Sequence, residues 1–267
     1  MTMDVDAYLR RIGYSGPLVA SAETLHALHR QHLFTVPFEN LNIPLKTAIT
    51  LELPLLYDKI VTRRRGGFCY ELNGLFAELL LALGFRVQML SARVHREDDS
   101  FGPEFDHMLL KVDLDGPWLA DVGFGDSFVN PIRFPRGSDE VQGKRYFLLS
   151  AGEDWLLVRE DETGQTPQYR FRDVPRQFAD YAPMCHYHQT SPESGFTRRW
   201  ICSRATPEGR ITLANRRLIM TRNNQREERL LTTEEEARHC LREQFGVELD
   251  DADLSPLMRD PETTSSP

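Results

Sequence analysis

Residues 65–76 read "RGGFCYELNGLF", and these positions decide the fold. Gly66-Gly67 ends whatever precedes it. Cys69 then opens "CYELNGLFAELLLALGF", in which Leu72, Leu75, Phe76, Leu79 and Leu83 recur at helical spacing until Gly84 supplies a stop. A cysteine in the first turn of a helix feels the positive end of the dipole and unpaired N–H groups, which favour the nucleophilic thiolate. Arg63, Arg64 and Arg65 add positive potential just upstream. The Gly-Gly pair lets backbone or substrate approach closely, since no Cβ intervenes. The plainer reading competes: free cysteine is among the most buried residue types and serves as a small apolar filler.

Upstream of this helix the chain also reads as helical. Ser21 is placed to cap "SAETLHALHRQHLF", with Leu25, Leu28 and His32 near one face, until Pro37 forbids continuation. "LPLLYDKIVTRRR" is a short amphipathic helix ended by the glycines. Downstream the period changes to two. "FRVQMLSARV", "HMLLKVDL", "WLADVG", "YFLLS" and "WLLVRE" are short β-type runs separated by turn signals such as Asp115-Gly116. Their succession suggests an antiparallel sheet or small barrel. "RITLANRRLIMTR" predicts one or two further strands. "TTEEEARHCLREQFG" predicts a helix with a Thr233…Glu236 capping box and Gly246 as its stop, and "DPETTSSP" a frayed tail. The order helices, strands, mixed defines an α+β architecture in three segments: 1–84, 85–195 and 196–267.

The whole chain narrows the function classes. It has 267 residues and a formal net charge of −8, which argues against nucleic-acid or anionic-membrane binding. No apolar run approaches the ~20 residues of a membrane span. The N-terminus lacks the basic and apolar regions of a signal peptide. Cysteines at 69, 185, 202 and 240 show no framework spacing, as expected of a reduced cytoplasmic protein.

A nucleophilic cysteine needs a base, and the base an orienter. His26, His29 and His32 lie on the early helix and His239 on the last, where a histidine is usually a surface residue. His107 stands at the head of the strand "HMLLKV", and Asp121 ends the next one in "PWLADVGFG". The residue types and chain order are those of a thiol triad. The register raises an objection. If Asp115-Gly116 is a two-residue hairpin loop, paired positions sum to 231, Asp121 lies opposite Leu110, and alternation puts it on the other face from His107. A triad then requires a bulge, strong twist or a wider loop beside Pro117. In "MCHYH", residues 184–188, period-two geometry puts His186 and His188 on one face and Cys185 on the other, so no three-ligand metal set is expected.

Read together, "VPFENLNI" at 36–43, "RRGGFCYELNGLF" at 64–76, "HMLLKV" after the base and "WLADVGFG" at 118–125 resemble the arylamine N-acetyltransferase family, most strongly over residues 8–130. The resemblance implies an N-terminal helical bundle carrying Cys69, a central antiparallel β-barrel carrying His107 and Asp121, and a C-terminal α/β lid, with a cysteine-protease-like core. It implies xenobiotic-type chemistry with acetyl-CoA as co-substrate and no permanently bound cofactor. Acetyl passes through acetyl-Cys69 to an arylamine, arylhydrazine or N-hydroxyarylamine. By the same resemblance Phe38 and Phe124 line the aryl and acyl site, and Gly123 and Gly125 meet the cofactor. Two positions depart from the family pattern. Asp106 directly precedes the base, where it would raise the imidazole pKa or point to solvent. Arg216 stands where relatives carry an aromatic residue, and it or Arg217 would meet phosphates or an acidic amine. A thiol-triad amide synthase or acyl hydrolase with another donor, and an idle sensor, are the alternatives. The sequence fixes no oligomeric state.

Overall fold

The computed structural model describes residues 3–223, 225–249 and 252–258; the polar tail from 260 lies outside them. Asp4 caps α1 (Val5–Ile12), and the Ser21 side chain accepts from Thr24 N–H at the start of α2 (Ala22–Thr35). After β1 (Phe38–Glu39), α3 (Leu53–Tyr57) runs into a π-helical turn, Asp58–Thr62. Cys69 is the first residue of α4 (Cys69–Ala82), the helix expected from the apolar spacing. Its apolar residues Leu72, Leu75, Phe76 and Leu79 pack with Tyr8, Leu25, Leu28 and Ile60 of the preceding helical region.

The strand region forms one antiparallel sheet of eight strands, nearly closed. They are β2 (Arg86–Val94), β3 (His107–Leu114), β4 (Gly116–Ala120), β5 (Ile132–Arg133), β6 (Ser138–Val141), β7 (Lys144–Ala151), β8 (Asp154–Asp161) and β9 (Gly164–Arg176). They run in the order β5-β4-β3-β2-β9-β8-β7-β6, and the end strands β5 and β6 touch. Inward-facing Leu90, Leu109, Phe128, Tyr146, Leu157, Tyr169 and Phe171 fill the interior. The strand β9 was not expected: Pro167 and Pro175 argue against a central strand. It is accommodated by register shifts against β8 between Leu157 and Val158 and against β2 between Leu90 and Ala92.

Beyond a helical hairpin, α5 (Ala182–Thr190) and α6 (Gly195–Arg198), lies a second sheet, ordered β1-β10-β11-β12-β13. Its other strands are β10 (Ile201–Thr206), β11 (Gly209–Ala214), β12 (Arg217–Arg222) and β13 (Gln225–Leu230). The segment "RITLANRRLIMTR" is thus two strands. β1 pairs with β10, Phe38 opposite Ser203, so the helical region lends a strand to the last segment. The helix α7 (Glu234–Phe245) has the Thr233/Glu236 capping box and a left-handed Gly246, as expected. "MCHYH" is helical rather than extended: Pro183 sits in the first turn of α5, where its missing N–H costs nothing. Cys185 and His188, three apart, then share the buried face.

Among the described residues no helix is long and apolar enough to cross a membrane, and no group of three His, Cys, Asp or Glu is placed to hold a metal ion.

Candidate active site

Cys69, His107 and Asp121 are all buried. The turn that delivers Cys69 rests on an internal ion network. Arg65 pairs with Glu39 at 2.8 Å and donates to Asn42 Oδ1 at 2.9 Å, while Glu39 also accepts from Leu41 N–H. Lys59, from the π-helical turn, meets Glu71 at 2.7 Å. Glu71 reaches back to accept from the Phe68 N–H at 3.1 Å, closing the first turn of α4. Arg65 is neutralised by Glu39, and Arg63 pairs with Asp58 at the surface.

His107 Nε2 lies 2.8 Å from Asp121 Oδ2. The objection from register is resolved by a tighter loop rather than a wider one. Leu114 pairs with Gly116 and Leu110 with Ala120, so positions sum to 230. Gly116 has φ +91°, which a side chain would resist. Asp121, one step past the ladder, falls opposite Leu109 and so on the face of His107. The Asp121 carboxylate further accepts from Asn73 Nδ2 at 2.9 Å, Gly123 N–H at 3.0 Å and the Tyr169 hydroxyl at 3.1 Å. These donors and the His107 ring hold it ionised below the usual range against the cost of burial.

Asn73 ties this carboxylate to the helix that Cys69 begins. It sits one turn after Cys69, donates to Met108 O at 2.6 Å, and accepts from Val122 N–H at 2.9 Å. Gly123 packs on the same turn: a Cβ there would stand 2.7 Å from Cys69 Cα. Burial pushes the Cys69 thiol well up, with Asp121 and Asp106 adding to it, while the Met108 N–H favours the thiolate.

The ring of Phe124 stands edge-on to His107, centroids 5.2 Å apart, and contacts Tyr169 at 5.1 Å. Phe38 faces Phe196 at 6.1 Å, and Phe196 faces Phe68 at 5.7 Å. Gly125 lies against the Phe38 ring, so the 123–125 turn joins the two aromatic positions. Arg210 holds that turn from β11, donating to Gly125 O and pairing with Asp126 at 3.1 Å. Asp106, half-buried, turns towards β2 and α5. Its carboxylate accepts from Val94 N–H and lies 3.4 Å from His188 Nε2 on α5. Arg217 pairs with Glu228 on β13, and Arg216 O accepts from Leu231 N–H.

Sequence reasoning missed Asn73, Tyr169, Phe196 and His29. Asn73 carried a signal, an amide one turn from Cys69 on an apolar face. Tyr169 carried none, since its strand went unrecognised. His29 is fully buried, not a surface residue. Its Nε2 accepts from Asp121 N–H at 2.9 Å, and its Nδ1 donates to Val129 O at 2.8 Å.

The chain thus carries a helix-borne cysteine and a buried His–Asp pair, on a helical region followed by a barrel. A family model described as N-acetyltransferase matches residues 21–254. Arylamine N-acetyltransferases of Escherichia coli (strain K12) and Mycolicibacterium smegmatis are 36% and 35% identical to it. The matches span 94% of this chain and 92% and 94% of theirs. The Salmonella typhimurium arylamine N-acetyltransferase structure superposes with a TM-score of 0.88 at 30% identity, covering 97% of this chain and 98% of that one. The Mycobacterium marinum enzyme in complex with CoA gives 0.88 at 29%, over 96% of this chain and 97% of that one. The chain belongs to the arylamine N-acetyltransferase family, and its class is that of the transferases.

Proposed function

We propose that the protein transfers an acetyl group from acetyl-CoA to arylamines, arylhydrazines or N-hydroxyarylamines by a ping-pong route through acetyl-Cys69. The observation that carries this is the buried His107–Asp121 pair at 2.8 Å, joined through Asn73 to the helix turn that begins at Cys69. Asp121 engages Nε2, which leaves Nδ1 as the atom to exchange a proton with the thiol. Cys69 Sγ attacks the thioester carbonyl as its proton passes to His107. The tetrahedral intermediate collapses, the S–C bond to CoA breaks, and the CoA thiolate takes that proton. The amine then attacks acetyl-Cys69 and gives up its proton to the imidazole, and the Cys69 thiol is restored. Asp121 stabilises the imidazolium in both halves. Two easier steps replace one hard one.

Phe38 and Phe124 are assigned to the aryl and acyl site and Gly123 and Gly125 to the cofactor side, a reading supported by the contacts of the 123–125 turn with Phe38 and His107. The reading treats 1–84 as the nucleophile-bearing segment, 85–195 as the barrel, and 196–267 as a lid. The Arg210 contacts to Gly125 and Asp126 support a lid that closes on that turn. Four free cysteines fit a reducing cytoplasm, and the reading includes a role in handling xenobiotic amines.

The test is intact mass after mixing with acetyl-CoA in the absence of amine. One added acetyl on the wild type, absent in Cys69→Ala and discharged by an arylamine, is the expected result. No adduct and no CoA release would overturn it.

A further inference from the structure

The carboxylate of Asp121 has four partners, but its backbone has a separate need. Asp121 lies one residue beyond the β3–β4 ladder, so its N–H has no strand partner and is buried. An unpaired buried N–H is costly. The group that meets it is not backbone or solvent but the ring of His29, which crosses from α2 and is held between Phe128, stacked at 5.7 Å and 7°, and Phe76, edge-on at 6.1 Å.

We propose that His29 is a positioning residue for the reaction: a neutral imidazole that fixes the backbone of Asp121, and through it the carboxylate that orients His107. The hydrogen bonds assign its state. Asp121 N–H can only donate, so Nε2 carries a lone pair; Val129 O can only accept, so the proton is on Nδ1. One ring thus ties Asp121 to the loop at Val129. That loop is pinned in turn by Asp139, which accepts from Val129 N–H at 2.9 Å and from Asn130 N–H at 3.1 Å. Neutrality matters because a cation behind Asp121 would compete with the His107 imidazolium for the same carboxylate. The charged and titratable groups around the ring are Asp121 at the end of β4, Asp139 on β6, and His26 and His32 on its own helix. Burial outweighs the two carboxylates, lowering the His29 pKa to about 4.

The role rests on the proposed triad, so its test must not depend on acetyl-CoA. The pH dependence of Cys69 alkylation by iodoacetamide is compared in wild type, His29→Phe and His29→Gln, with melting curves alongside. The Phe ring fills the space but offers neither acceptor nor donor; the Gln amide offers both. His29→Phe is expected to alkylate roughly ten- to hundredfold more slowly at neutral pH, the equivalent of one buried partner left unpaired. Its acid limb should move to lower pH, because a displaced Asp121 stabilises the imidazolium less. His29→Gln should recover most of the rate. An unchanged rate and pH profile in folded His29→Phe would overturn the role. If His29→Phe does not fold, histidine 15N shifts in the wild type decide. A neutral Nδ1–H tautomer at pH 7 together with the Gln recovery supports the role; a protonated ring or the Nε2–H tautomer overturns it. Alkylation that responds as expected in a protein that acetyl-CoA does not acylate would uphold the positioning role while removing the acetyl donor.

Discussion

His107 Nε2 and Asp121 Oδ2 meet at 2.8 Å because a single-residue difference in hairpin register places them on one face of the sheet. With pairing sums of 231 they would point to opposite faces; at 230 they converge. Gly116, at φ +91°, sets that register. Asp121→Asn, which keeps the shape but presents a donor to Nε2, should lower acetylation of Cys69 by about 10⁴, as a wrong tautomer does in other triads. Single-turnover acetylation with an unchanged melting temperature is the check.

Burial pushes the Cys69 thiol up, and in the proposed mechanism His107 takes its proton. In His107→Gln, alkylation of Cys69 at pH 7 should fall by about 10²–10⁴, the usual share of a general base. The residual rate should rise about tenfold per pH unit through pH 9, as for an unassisted thiol. A variant as fast as wild type at pH 7 would show that the thiolate forms without the base.

Lys59 and Glu71 form a buried pair inside the turn that presents Cys69. Lys59→Met strands the Glu71 charge and should cost about 3–5 kcal/mol in urea unfolding. Glu71 already titrates above its ordinary value, chiefly from burial, with Lys59 holding it down. Removing Lys59 raises it further, so the folded form binds the proton more tightly than the unfolded one. The destabilisation relative to wild type should therefore be smaller at pH 5 than at pH 8, and adding Glu71→Gln should abolish that pH dependence.

His29 has the opposite linkage. Its pKa is about 4 when folded against an ordinary 6.5, so below pH 6.5 the unfolded chain takes up a proton that the folded chain refuses. Stability should fall as pH drops from 6.5 towards 4, by about 3 kcal/mol from this group. His32, fully buried beside Arg11, adds in the same direction. Urea midpoints of the wild type should show the slope, and His29→Gln should lose its share of it.

A Cβ on Gly123 would stand 2.7 Å from both Cys69 Cα and Asn73 Nδ2, neither of which can swing away freely. Gly123→Ala should destabilise by about 1–3 kcal/mol through overpacking. It should also lower acetylation more than the loss of folded protein explains, measured per mole of native enzyme.

The sequence by itself determined what is local. Ser21, Thr233 and Gly246 mark helix ends because caps act within one turn, and Cys69 begins α4 because Gly66-Gly67 and the leucine spacing leave no other start. Period-two runs located most of the barrel strands, and the motif order carried the family. Where a local rule was broken by a distant partner, the reading failed: β9 holds two prolines that bulges absorb, and "MCHYH" is helical. Tertiary structure alone decided which buried groups meet. Arg65 is neutralised by a glutamate 26 residues earlier. Asp106 turns to α5. His29 reaches Asp121 across 92 positions. A hairpin register, one residue either way, decides whether base and carboxylate share a face. Local propensity is nearly indifferent to these choices, because the energies that separate them belong to the desolvation and pairing of polar groups far apart in the chain.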